Sequence, residues 1–203
     1  VNEETVTTID LVRHGETGDG NFRFRGRTDE PLSDLGWSQL RSVVPEQPQW
    51  ESIVSSPLRR CSEFANELNR RFGLAVDLQS NLAEMDFGDW EGMTVEQVQA
   101  ENSVALGQFW TDPESAAAPS GETLIDFYGR IDSGWQTLLQ RSAGRHVLLV
   151  SHGGVMRVIL ARVLGIPRTN LWNLDVPNAG CSRVRYYGNR PVLVFLNRTE
   201  FHP

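Results

Sequence analysis

A three-layer α/β/α sandwich, with a mostly parallel central sheet and a C-terminal antiparallel hairpin, is the fold class this sequence predicts. Three observations carry it. Short apolar runs alternate with segments of 3.6-residue periodicity, the pattern of a sheet covered by helices. Two of the runs, with apolar stretches ending at Val12 and Val150, each deliver a histidine into a glycine. The last two runs are joined by Gly188-Asn189-Arg190-Pro191, a turn-forming link.

In chain order, the strand candidates are Thr7–Arg13, Ser52–Ser55, Arg145–Ser151, Cys181–Tyr187 and Val192–Asn197. Between them, Leu58, Cys61, Ala65, Leu68 and Phe72 form the apolar stripe of a helix, with Ser56 placed to cap it and Pro57 to be its first residue. Thr94-Val95-Glu96-Gln97 has the spacing of a capping box and opens a second helix. Leu124, Phe127, Ile131, Trp135 and Leu138 make a longer stripe, with Ser120 as the expected cap. Val155 to Leu164 is apolar nearly all round, the mark of a buried helix. Asp112 to Ser120, with its alanine run and two prolines, reads as a surface loop. No internal repeat or linker divides the chain, so a single domain over 1–203 is expected, with a cap around 93–120.

Composition narrows the function. The 203 residues suffice for a substantial core, and 19 basic against 26 acidic residues give a formal charge of −7. Such a chain lacks the basic footprint of a nucleic-acid binder. No apolar run reaches membrane-spanning length, and the polar start (Asn2, Glu3, Glu4) does not resemble a signal peptide. Cys61 and Cys181 are too few for a disulfide framework, which suits a cytoplasmic protein with reduced thiols. The expected state is a monomer or a homodimer.

Four segments concentrate the chemistry. They are Arg13-His14-Gly15-Glu16-Thr17, Ser55-Ser56-Pro57-Leu58-Arg59-Arg60, Leu82 to Gly92 (with Glu84), and Ser151-His152-Gly153-Gly154. Ligands of α/β sheets bind outside the carboxyl ends of the strands, where both histidines fall. Arginine suits a phosphate because its planar fork bonds two oxygens at once. Arg60 is expected in the first turn of its helix, where the dipole also favours an anion. His152-Gly153-Gly154 adds a second strand-to-helix turn whose glycines admit a ligand close to the backbone. A histidine attacks phosphorus only when neutral, because an imidazolium has no free lone pair. Nearby arginines disfavour the imidazolium, while a bound phosphate favours it. A leaving alkoxide needs a proton, and Glu84 is the natural donor; the same carboxylate could then activate water.

These segments resemble the histidine phosphatase superfamily, also called phosphoglycerate mutase-like. That family shows Arg-His-Gly after its first strand, a Ser-Pro-Leu-x-Arg helix start, a Glu-x-x-x-Gly-x-Trp-Glu-Gly segment and a second His-Gly after a late strand. The resemblance runs from Leu11 to beyond Gly154. It implies that His14 is the phosphorylated nucleophile, that Arg13, Arg60 and His152 hold the phosphate, and that Glu84 is the proton donor. It implies no cofactor. Within the superfamily the chain is most similar to bacterial α-ribazole-5′-phosphate phosphatases of cobalamin assembly, through Arg25 to Ser33, Phe87 to Gly92 and His152 to Arg157. Many members place an asparagine six residues after the nucleophile, where this chain has Gly20, with Asn21 next. Asn21, Arg25 and Gly26 are therefore the candidates for that side of the pocket, and Gly153 for its floor. Phosphoglycerate mutases carry extra basic residues after the Trp-Glu-Gly block. Met93 to Ser120 contains no Lys or Arg, so hydrolysis is favoured over mutase chemistry.

The implied activity is hydrolysis of a small phosphorylated metabolite. A broad-specificity sugar or nucleotide phosphatase, a mutase and a non-catalytic phospho-ligand binder stay open as alternatives. Among the remaining residues, Arg23, Arg25 and Arg27 alternate and would point to one side of an extended segment. Glu16 reads as structural or rim. Trp90, Trp110 and Trp135 read as packing, with Trp110 near the loop that could cover the site. Cys61 reads as core, His146 and His202 show no partner pattern, and no spacing suggests a metal site.

Overall fold

The computed structural model describes residues 6–18 and 23–201. Six strands form one sheet: β1 (Val6–Arg13), β2 (Ser52–Ser55), β3 (Ala75–Leu78), β4 (His146–Ser151), β5 (Cys181–Tyr187) and β6 (Arg190–Arg198). Their order is β3-β2-β4-β1-β5-β6. The first four in that order run parallel, and β5 and β6 add antiparallel to the edge at β1. Among the described residues five α-helices accompany the sheet: α1 (Asp34–Val43), α2 (Arg59–Phe72), α3 (Val95–Thr111), α4 (Leu124–Arg141) and α5 (Gly153–Leu164).

The pleat divides the strand side chains between two cores. Ile9, Leu11, Val147 and Leu149 face a cluster with Phe127, Ile131 and Trp135 of α4 and Val155 and Ile159 of α5. Val12, Leu148 and Val150 face the opposite cluster, with Leu40 of α1 and Cys61, Phe64 and Leu68 of α2. Period-two alternation thus gives the central strands an apolar partner on both sides, so the three-layer sandwich follows. Each fully buried Leu, Ile or Phe stabilises the fold by roughly 1.5–3 kcal/mol.

The α4 stripe is buried at every expected position, from Leu124 to Leu138. Thr94 does close a capping box with Gln97. Other expectations need correction. Strand β3 and helix α1 were not foreseen. β3 is a four-residue edge strand whose side chains are mostly exposed, so it carries no alternating signal. Helix α1 is opened by Ser33, whose hydroxyl accepts from the Gly36 N–H, and Gly36 inside its first turn hides it from propensity. Ser56 does not cap α2: the helix begins at Arg59, whose N–H is taken by the Asp29 carboxylate at 2.7 Å from another loop. That carboxylate, rather than an open anion site, occupies this helix end. Ser120 does not cap α4 either; Thr123 does, and Ser120 has φ +61°. The hairpin link is only Gly188-Asn189, with β6 starting at Arg190. In the 112–120 loop Ala118 is packed into the core. No described helix is long and apolar enough to cross a membrane.

Candidate active site

The adjacency of β1 and β4 assembles the site. Their register sets Arg13 beside Ser151, and the His14 N–H donates to the Ser151 carbonyl at 2.9 Å. The two His-Gly turns therefore leave the sheet side by side, and the imidazoles of His14 and His152 meet edge to face, 5.3 Å between centroids. Residues 138 positions apart in the chain become neighbours because β4 is inserted between β1 and β2.

His14 is buried at the base of a cavity of about 440 Å³. Its Nδ1 lies 2.7 Å from the Gly15 carbonyl oxygen. A carbonyl can only accept, so Nδ1 carries the proton and the lone pair resides on Nε2. Burial first, then the charges of Arg13 and Arg60, hold His14 well below the ordinary histidine value. The ring is therefore neutral near pH 7, which a nucleophilic nitrogen requires.

Five arginines line the same cavity: Arg13, Arg23, Arg25, Arg60 and Arg157. Arg13 donates to the Val176 carbonyl, while its buried Nε has no partner. Burial lowers Arg13 to about 10, with nearby Glu84 opposing and Arg157 reinforcing. A buried guanidinium nitrogen without an acceptor costs free energy unless an anion meets it. Arg157 is anchored in the same way, through Nε to the Leu174 carbonyl at 2.6 Å, so one segment holds both guanidinia around Asp175. Gly153 lies beneath them, 3.0 Å from Arg157 Nη1 and 3.4 Å from Arg13 Nε as measured from where its Cβ would stand.

Arg60 is almost completely buried yet reaches the cavity. It donates to the Gly26 and Thr28 carbonyls at 2.7 and 2.8 Å, and through Nε to His152 Nδ1 at 3.2 Å. His152 itself is completely buried and is not on the cavity wall. Burial and the charge of Arg60 lower it well below the ordinary value.

The loop beneath Arg60 is held by Glu91, the acid of the Trp-Glu-Gly block. Its carboxylate accepts from the Arg27 and Thr28 N–H groups at 2.6 and 2.7 Å and from the Thr28 hydroxyl. Gly26 has φ +42°, and a Cβ there would stand 2.2 Å from Glu91 Oε1, so only glycine fits. This turn also breaks the expected alternation: Arg23 and Arg25 line the cavity, while Arg27 does not. Arg25 is engaged by Glu30 at 2.9 Å and by the Thr17 carbonyl. Asn21 lies outside the described residues.

Glu84 lines the same cavity as His14. Its carboxylate accepts from the Gly154 N–H at 3.0 Å, at the start of α5, and from the Met85 N–H at 3.1 Å. The outer wall is aromatic. Phe109, Trp110 and Trp172 pack on one another at 5.0–5.5 Å between centroids, with Phe24 and Phe87 beside them. The kink in α3 at Asn102, whose side chain accepts from the Ala105 N–H, starts the helical segment that delivers Phe109 and Trp110. Among the described residues, no group of three His, Cys, Asp or Glu is placed to hold a metal ion.

Arg13, His14, Arg60, Glu84 and Gly153 of the four segments thus share one cavity with Arg25 and Gly26, and His152 is bonded behind Arg60. Sequence reasoning missed Arg157, Trp172, Asp175 and Glu91. Arg157 follows Gly153 by four residues, one helical turn, and that spacing could have found it. His146, for which the sequence shows no partner pattern, lies 2.9 Å from the buried Asp10 carboxylate, and His202 lies outside the described residues.

Comparison with known proteins agrees with this geometry. A profile of the histidine phosphatase superfamily (branch 1) matches residues 9–199. The chain is 29% identical over 192 residues to phosphoserine phosphatase 1 of Hydrogenobacter thermophilus, covering 93% of this chain and 91% of that one. It is 30% identical over 179 residues to a protein of Yersinia pestis named "Probable phosphoglycerate mutase GpmB", covering 87% and 83%. Among solved structures it is similar to the alpha-ribazole phosphatase of Shigella flexneri, with TM-score 0.84, 26% identity and 97% and 98% of the two chains covered.

Proposed function

This chain belongs to the histidine phosphatase superfamily, and on that premise we propose that it is a metal-independent phosphomonoesterase working through a phosphohistidine on His14. The observation that carries the reading is the state of His14: neutral, its Nδ1 proton held by the Gly15 carbonyl, in a cavity lined by five arginines. The phosphoryl group of the ester is held by Arg13 and Arg60, whose charges offset its own. Nε2 attacks phosphorus as the P–O bond to the leaving alcohol breaks, and Glu84 protonates the departing alkoxide. Water then attacks the phosphohistidine, giving its proton to the Glu84 carboxylate. Orthophosphate leaves and His14 returns to its neutral form. His152 supports this centre from behind Arg60.

For the leaving group, the aromatic wall of Phe24, Phe109, Trp110 and Trp172 favours an alcohol with a flat apolar portion. α-Ribazole-5′-phosphate, a benzimidazole ribotide, has that shape, which makes it our first candidate substrate. A mutase must grip a second anion, and α3, which supplies Phe109 and Trp110 of that wall, contains no Lys or Arg. We also read the chain as one domain, with the 93–120 region forming the cap over the cavity, acting in the cytoplasm on a small metabolite.

The test is phosphate release from a panel of α-ribazole-5′-phosphate, phosphoserine, phosphoglycerates, sugar phosphates and an aryl phosphate, with chelator present. We expect turnover with chelator, the highest kcat/KM on the ribotide, and loss of on the order of 10³-fold or more in His14→Ala. Substantial turnover by His14→Ala would sink the phosphohistidine reading. A clear preference for phosphoserine would replace the ribotide.

A further inference from the structure

We propose that Ser56 is a positioning residue for the phosphate site, acting through His152 to fix the guanidinium of Arg60. The proposal rests on the reading of Arg60 as a phosphate ligand. Three contacts form the chain: Arg60 Nε to His152 Nδ1 at 3.2 Å, His152 Nε2 to Ser56 Oγ at 2.7 Å, and the Leu58 N–H to Ser56 Oγ at 3.3 Å.

The directions of these bonds are fixed by elementary chemistry. An arginine Nε carries a hydrogen and has no lone pair to offer, so His152 Nδ1 must be the acceptor. A neutral imidazole that accepts at Nδ1 carries its proton on Nε2. That proton needs an acceptor, because His152 is completely buried. Ser56 Oγ supplies it, itself completely buried and pinned by its backbone N–H to the Val150 carbonyl at 3.1 Å. The alternative tautomer would turn an Nδ1–H toward the Arg60 Nε–H, two donors facing each other. Ser56 therefore supplies the acceptor required by the tautomer in which His152 holds Arg60.

The consequence falls on Arg60. Its Nε goes to His152, and its two terminal nitrogens each donate once, to Thr28 and Gly26. Three of the five guanidinium hydrogens are thus spent on orientation, and two remain for a ligand in the cavity that Arg60 lines. Cys61 Sγ, 3.6 Å from His152 Nε2, is a far weaker acceptor and would not replace Ser56. The serine of the Ser-Pro-Leu-x-Arg segment acquires a role distinct from capping.

The experiment compares wild type, Ser56→Ala and Ser56→Thr by three measurements: NMR of 15N-labelled histidines, inhibition by inorganic phosphate, and steady-state kinetics on an aryl phosphate. In the wild type we expect His152 protonated at Nε2 with Nδ1 accepting. In Ser56→Ala we expect that signature to be lost, with phosphate inhibition and kcat/KM each weakened about tenfold, the value of one hydrogen bond. Ser56→Thr, which restores a hydroxyl, should recover both to within a few-fold. Unchanged phosphate affinity in a folded Ser56→Ala overturns the proposal, as does an equal loss in the Ala and Thr variants with the tautomer retained. If Ser56→Ala does not fold, Ser56→Cys takes its place in the same comparison. A wild type that binds phosphate but releases none from any ester would defeat the phosphatase reading and leave phosphate affinity and tautomer still reporting on Ser56.

Discussion

The backbone of Gly154 and the carboxylate of Glu84 approach too closely to leave room for a side chain at position 154. The Gly154 N–H donates to Glu84 Oε2 at 3.0 Å, and a methyl group on Gly154 would stand 2.4 Å from Glu84 Oε1. The second glycine after His152 is thus a seat for a carboxylate that comes from 70 residues away.

Gly154→Ala should therefore displace Glu84 without touching His14. A misplacement of about 1 Å can cost on the order of 10²-fold in rate. We expect kcat on an alkyl phosphate to fall by about that factor while the variant stays folded. Steady-state kinetics paired with a thermal melt checks it, and an unchanged kcat would remove Glu84 from the reaction.

Glu84→Gln removes the transferable proton and keeps the shape. The loss should be about 10²–10⁴-fold for alkyl phosphates, whose leaving groups need the proton, and much smaller for nitrophenyl phosphate. A plot of log kcat against leaving-group pKa should steepen in the variant. Parallel plots for variant and wild type would argue against a general acid.

Acid should destabilise the protein from an unusually high pH. His14 and His152 are both held well below the ordinary histidine value of 6.5 by burial and by neighbouring arginines. In the unfolded chain they bind protons below about pH 6.5, while the folded state still excludes them. The unfolded state then binds more protons, so stability falls as pH drops from about 6.5 toward the folded-state values. Denaturant midpoints measured between pH 8 and 5 should show this slope, and His152→Gln should make it shallower. A flat profile over that window would contradict the assigned burial.

Asp10→Asn tests a buried ion cluster. The Asp10 carboxylate is completely buried and accepts from Arg183 at 2.6 and 3.0 Å, Trp50 Nε1 at 2.7 Å and His146 Nε2 at 2.9 Å. Neutralising it removes the carboxylate charge that the buried Arg183 meets at 2.6 Å, which should cost about 3–5 kcal/mol of unfolding free energy. Urea denaturation measures it directly, and a change below 1 kcal/mol would show that Arg183 finds another partner or water.

The contrast between α4 and α1 shows how far local pattern reaches. Five apolar residues at helical spacing announce α4, and all are buried. Helix α1 contains Gly36, where helix α1 packs against the His14 turn: a Cβ there would stand 2.0 Å from the Glu16 carbonyl oxygen. A residue chosen for tertiary contact weakens the very propensity by which sequence is read. Strand β3 escapes for a different reason, since an exposed edge carries no alternation.

The sequence by itself determined the α/β class, the strands that end in His14 and His152, and the motifs that bring Arg13, Arg60 and Glu84 into consideration. Those features are local, written in periodicity and in short spacings. Only the tertiary structure decided that β4 lies beside β1, that Asp29 rather than Ser56 closes the start of α2, that Glu91 clamps the Gly26 turn, and that Arg157 joins the cavity. Each of these joins residues tens to more than a hundred positions apart. Hydrogen bonds depend on distance and direction in space, and a single chain of letters carries neither until the sheet order is set.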